Sequence, residues 1–113
     1  MTAQPSRDPI PSGTLDMLVL RTLARERELH GFEIAQAIQN WSNEVLQVEE
    51  GSLYPALQRM LVKGLIQGEW SRTDDNRRAR YYRLTPAGRR HLAQQIESYQ
   101  RVAGAIAGVL DLA

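Results

Sequence analysis

With 113 residues, 14 lysines and arginines against 13 aspartates and glutamates, and a net charge of +1, the chain is sized for one domain. Such a domain buries roughly two thirds of its unfolded surface, which leaves little core for a second function. The absence of cysteine excludes a disulfide framework and a thiolate metal site and fits a reducing cytoplasm, while no apolar run approaches the ~20 residues of a membrane span.

Met1 to Pro11 holds three prolines and reads as a flexible arm; Arg7 has no apolar segment behind it, so no signal peptide is expected. Ser12 is the expected N-cap of a first helix, with Asp16 in its opening turn and Leu15, Leu18, Val19 and Leu23 on one apolar face. A second helix starts near Gly31, buries Ile34, Ile38 and Trp41, and ends at Ser42-Asn43. Val45 to Val48 is expected to add a short strand to the sheet that follows.

From Val48 to Ile66 the chain reads as a short helix with a buried stripe of Leu53, Leu57, Met60 and Leu61. The opposite arc carries Ser52, Tyr54, Pro55, Gln58, Arg59 and Lys63, a hydrogen-bonding and cationic set. Pro55 is expected in the first turn, where a missing N–H is tolerated, and Gly64 in a left-handed cap. Two strands follow, Leu65 to Ser71 and Ala79 to Leu84, around a polar turn from Arg72 to Arg78. Between Asn76 and Ile96 there is no carboxylate, yet Arg77, Arg78, Arg80, Arg83, Arg89 and Arg90 all occur there. One or two arginines would merely keep an edge strand from aggregating. Six beside interleaved aromatics, after a helix with a polar and basic face, form a directed field suited to nucleic acid.

Thr85-Pro86 opens a last helix, a capping hydroxyl followed by proline at the first position. Along it Leu92, Ile96, Tyr99, Ala103, Ile106 and Leu110 alternate spacings of four and three, a coiled-coil seam that Val102 and Val109 widen. From Pro86 to Leu112 such a helix would be about 40 Å long. The rest of the chain should form a globule only about 30 Å across. The helix overhangs it, so the seam predicts a homodimer.

No other chemistry competes. His30 and His91 are too few for a metal site and read as surface or capping histidines, and Asp74-Asp75-Asn76 lacks the glycine and distal glutamate of a calcium loop. No nucleophile triad or phosphate-cradling glycine loop occurs, so no enzyme, metal or cofactor is expected. Trp41 and Trp70 read as core aromatics.

The run Glu49-Glu50-Gly51-Ser52-Leu53-Tyr54-Pro55-Ala56-Leu57 with Arg59 and Gly64-Leu65-Ile66, then Arg78-Ala79-Arg80-Tyr81-Tyr82-Arg83-Leu84-Thr85 and Gly88-Arg89, resembles the PadR family of winged-helix transcriptional regulators. The resemblance runs from about Gly13 to the C-terminus, in the branch with a single C-terminal helix. One departure is Phe32, where the family usually has tyrosine. The resemblance implies a mainly α fold with a small β-hairpin wing, a winged helix-turn-helix over 12–85 after an arm over 1–11, and a long dimerisation helix over 86–113. It implies a cytoplasmic homodimeric repressor that binds double-stranded DNA and occludes a promoter. The DNA-contacting set would be Ser52, Tyr54, Pro55, Arg59, Lys63, Arg77, Arg78, Arg80 and Tyr81, with Tyr54, Pro55 and Arg59 nearest the groove. Some members of that branch hold flat aromatic compounds between the long helices. That implies an effector site at Ile96, Tyr99 and Ala103, against the simpler reading in which Tyr99 only fills the seam. The alternative function is a winged-helix module that docks another protein.

Overall fold

The structure, a computed structural model, describes residues 8–11 and 13–112. Three short amphipathic helices and a small sheet share one core. Helix α1 (Leu15–Arg25) buries Val19, Leu20 and Leu23. Its cap position is Thr14, with Asp16 in the first turn; the expected cap Ser12 lies outside the described residues. Helix α2 (Gly31–Trp41) buries Ile34 and Ile38. His30 opens it through a reciprocal capping box: its Nδ1 accepts from the Glu33 N–H at 3.4 Å, and its own N–H donates to Glu33 Oε1 at 3.1 Å. Helix α3 (Glu50–Val62) buries Leu53, Ala56, Leu57 and Met60 and stops at Gly64, whose φ of +73° favours glycine.

The sheet is antiparallel, in the order β2 (Leu29–His30), β5 (Arg78–Leu84), β4 (Ile66–Arg72). Ile66 pairs with Leu84 at its base and Arg72 with Arg78 near its tip. Only the base is packed: Ile66 and Tyr82 are buried, and beyond them the hairpin projects as a wing. Helix α4 (Pro86–Val109) starts on this base. The Thr85 hydroxyl donates to the Gly64 carbonyl at 2.6 Å and accepts from the Gly88 N–H at 3.0 Å, while the Thr85 N–H donates to the Leu65 carbonyl at 3.1 Å. The start of the long helix is thereby fastened to the turn that ends α3. Among the described residues there are four helices, and none is long and apolar enough to cross a membrane.

Four expectations are corrected. Leu46–Gln47 (β3) does not join the wing; it pairs in parallel with Asp8–Pro9 (β1), so the end of the expected arm is part of the fold. The third strand of the wing sheet is instead Leu29–His30. Pro55 is not in the first turn of α3, because the helix begins at Glu50 and Pro55 is its sixth residue. Trp41 and Trp70 are exposed rather than core, each lying under a guanidinium: Arg25 at 3.6 Å over Trp41, and Arg78 at 4.7 Å over Trp70. Helix α4 ends at Val109, short of Leu112, and at 24 residues spans about 36 Å.

Candidate nucleic-acid interface

Burial fixes how α3 is rotated. Leu53, Ala56, Leu57 and Met60 face the core, so at 100° per residue the centre of the opposite face is Gly51, Pro55, Gln58 and Val62. All four are exposed, Val62 at 89%. Tyr54 borders this face on the wing side. Its hydroxyl would lie 2.9 Å from a Cβ at Gly31, so glycine there lets the ring pack over the start of α2. Ser52, Arg59 and Lys63 form the other border. Arg59 is tied there, with Nη2 donating to Asp16 Oδ1 of α1 at 3.2 Å.

Strand alternation divides the wing into two faces. Trp70, Arg78, Arg80 and Tyr82 share the inner face, turned toward α3, whereas Tyr81 and Arg83 lie on the outer one. Between the inner face and α3 runs an open groove of about 860 Å³, lined by Phe32, Tyr54, Gln58, Trp70, Arg77, Arg78 and Arg80 among others. Arg80 crosses Gly68 so closely that a Cβ there would sit 2.5 Å from its Nε. That Nε is enclosed and has no hydrogen-bond partner among the described residues. Tyr81 packs edge-on against the His30 ring, with centroids 5.3 Å apart, and burial pushes its phenol above the ordinary range.

The tip is ordered by its own polar groups. Asn76 takes a left-handed φ of +63°, the Thr73 hydroxyl donates to Asp75, and Asp75 pairs with Arg77 at 3.3 Å. Above all the Thr73 hydroxyl, with a backbone hydrogen bond and the charge of Arg77 adding to it, holds the Asp75 carboxyl below its usual range. A depressed folded value means that the charged tip contributes fully above the ordinary carboxylate pKa and is lost only as pH falls below it.

Of the residues expected to meet DNA, the groove gathers Tyr54, Arg77, Arg78 and Arg80; Pro55 stands on the adjoining exposed face of α3. Ser52, Arg59 and Lys63 lie across that face, and Tyr81 is on the far side of the wing. Gln58, Phe32 and Trp70 also line the groove, although none belongs to the expected DNA-contacting set. For Trp70 a signal existed: it pairs across the hairpin with Arg80, beyond the last buried residues of both strands. Of the seam residues, Leu92 is buried in the chain's own core, 4% exposed, and Ile96 packs against that core. Tyr99, Ile106 and Leu110 are exposed and Ala103 is half-buried, on a stretch of α4 where Val102 and Val109 are also exposed.

The family model described as "Transcriptional regulator PadR-like family" matches residues 19–94. A protein of Lysinibacillus sphaericus is 33% identical over 96 residues, 85% of this chain and 87% of that one. A transcriptional regulator of Mycobacterium tuberculosis is 35% identical over 85 residues, 75% of this chain and 76% of that one. Among solved structures, a PadR family transcription regulator from Clostridium difficile R20291 superposes with a TM-score of 0.74 at 27% identity, covering 87% of this chain and 99% of that one.

Proposed function

The chain belongs to the PadR-like family of transcriptional regulators, and we propose that it acts as a homodimeric repressor that binds a promoter and blocks access to it. Its members are regulators that bind DNA, not enzymes. The observation that carries the finer reading is the pairing of an exposed α3 face with a groove holding three arginines, next to a helix whose distal half is apolar and uncovered. In this reading residues 12–85 meet DNA, with α3 entering the major groove and the wing lying along the backbone. Residues 86–113 carry the dimer contact on their distal part, from Tyr99 onward, and the arm 1–11 precedes the first helix. A regulator of promoters works where the DNA is, which makes the chain cytoplasmic.

Phosphate contacts position and base contacts specify. Arg77, Arg78 and Arg80, with Ser52 and Lys63 across the helix, form the positioning set. Tyr54 lines the groove and Pro55 the exposed helix face beside it, while Tyr81 supports the wing from outside. An anion at the outer nitrogens of Arg80 would offset the cost of its enclosed Nε. Arg78→Ala is therefore expected to weaken binding to all duplexes alike and to flatten the dependence of log affinity on log salt by about one unit. Mobility-shift titration over a range of salt measures both. Unchanged affinity and slope at low salt would remove the wing from the interface, and a wild type with no salt slope would favour a protein partner instead.

Regulation would work through the spacing of the two α3 helices. Tyr99 is exposed beside half-buried Ile96 and Ala103, so a flat aromatic effector could stack on it near the two-fold axis. Stacking contributes roughly 0.5–1.5 kcal/mol beyond area burial, enough to bias a dimer between two spacings. A planar fluorescent dye should bind the wild type saturably, bind Tyr99→Ala more weakly, and shift operator affinity only in the former. Equal, non-saturable binding in both would leave Tyr99 as a packing residue.

A further inference from the structure

We infer that Gln58 and Val62 are the residues of α3 that read base edges, and that together they select an adenine and a thymine about two base pairs apart. The inference rests on the DNA-binding reading above. Rotation of α3 puts these two side chains at the centre of the exposed face, while the side chains with more obvious chemistry are turned to its borders. Tyr54 leans on α2, and Arg59 is held by Asp16. Pro55, also central, has no side-chain donor or acceptor, and Gly51 has no side chain. Glycine and proline instead keep the N-terminal half of α3 slim, so the helix can sit deep enough for Gln58 to touch a base.

The chemistry of the pair is specific. Gln58 is exposed and has no hydrogen-bond partner among the described residues, so its amide is free to donate and accept at once. In the major groove that pattern matches adenine, which offers an acceptor at N7 and a donor at N6 side by side. Val62 is 89% exposed and purely apolar, a poor choice for a solvated helix end and a good one for the thymine methyl group. Four residues of helix separate them by about 6 Å along the axis. With base pairs about 3.4 Å apart, that is close to two steps. Neither side chain is charged, so their contribution is selectivity, and the salt dependence stays with the arginines.

Selection from a pool of duplexes with a randomised core tests this. The wild type should enrich an adenine and a thymine two positions apart. Gln58→Ala should flatten the adenine preference by roughly five- to a hundred-fold, the range for one bidentate base contact. Gln58→Arg should move that preference to guanine, whose O6 and N7 suit a guanidinium. Deoxyuridine in place of the selected thymine should weaken the wild type and leave Val62→Ala unaffected, while Arg59→Ala should change affinity without changing the enriched sequence. Both sites are exposed, so the variants should fold. An enriched sequence identical in wild type, Gln58→Ala and Val62→Ala, with binding retained, would overturn the inference and leave the DNA-binding reading intact. A wild type that retains no duplex at low salt would overturn both.

Discussion

Gly88→Ala is expected to lower the melting temperature by roughly 8 °C or more, a loss of about 2 kcal/mol. A Cβ at position 88 would fall far inside the van der Waals contact distance of the Leu65 carbonyl oxygen and 2.8 Å from Leu84 Cδ1. The carbonyl cannot swing away, because it accepts the Thr85 N–H at 3.1 Å and belongs to the turn that ends α3. Alanine returns about 1 kcal/mol as a better helix former than glycine, which the clash exceeds. The strain has a direction: it separates α4 from the Gly64–Leu65 turn, the contact through which the long helix is attached to α3. Thermal unfolding followed by circular dichroism measures the loss. A melting temperature equal to or above the wild type would mean that α4 does not pack on that turn as described.

Truncation after Ser98 is expected to leave a folded monomer whose affinity for its operator is roughly 10²- to 10⁴-fold lower, the range in which linking two binding modules raises avidity. The cut is chosen from the burial of α4. Leu92 and Ile96, which pack on the chain's own core, are kept. Removed are Tyr99, Val102, Ile106, Val109, Leu110 and Leu112, each more than half exposed. The described residues leave this stripe, along the distal part of α4 and just beyond it, largely uncovered. Removing it should cost the fold little and the dimer everything. Two half-sites about 34 Å apart need two recognition helices held together. A truncated protein that unfolds at the same denaturant concentration but sediments as a dimer would contradict this role for α4.

What could be read in the sequence was what local chemistry decides. The Thr85-Pro86 start of α4, the left-handed Gly64 and the polar wing tip depend on residues within one turn of each other, and the structure has them as expected. The pairing of Asp8–Pro9 with Leu46–Gln47 could not be read, because two-residue strands carry no period and owe their existence to packing. The tryptophans were misjudged for a related reason. Apolar rings read as core, but each is covered by an arginine supplied from another element or strand, Arg25 for Trp41 and Arg78 for Trp70. The candidate site shows how a small residue can redirect a reading. A stripe of Leu53, Leu57, Met60 and Leu61 centres the opposite face between Pro55 and Arg59. Burial of Ala56, with Leu61 only half-buried, rotates that centre onto Gln58 and Val62. Alanine carries so weak a hydrophobic signal that only the packed core reveals on which side it counts. The same rotation leaves Arg59 to Asp16, a partner 43 residues away.

Repression as proposed requires a dimer that places two α3 helices on one duplex. Sedimentation of the full-length chain, alone at micromolar concentration and then with a duplex carrying its operator, tests that directly. A dimer is expected in both, with two protomers per duplex on half-sites about one helical turn apart. A monomer that remains a monomer and still occupies its operator tightly, one protomer per duplex, would contradict it.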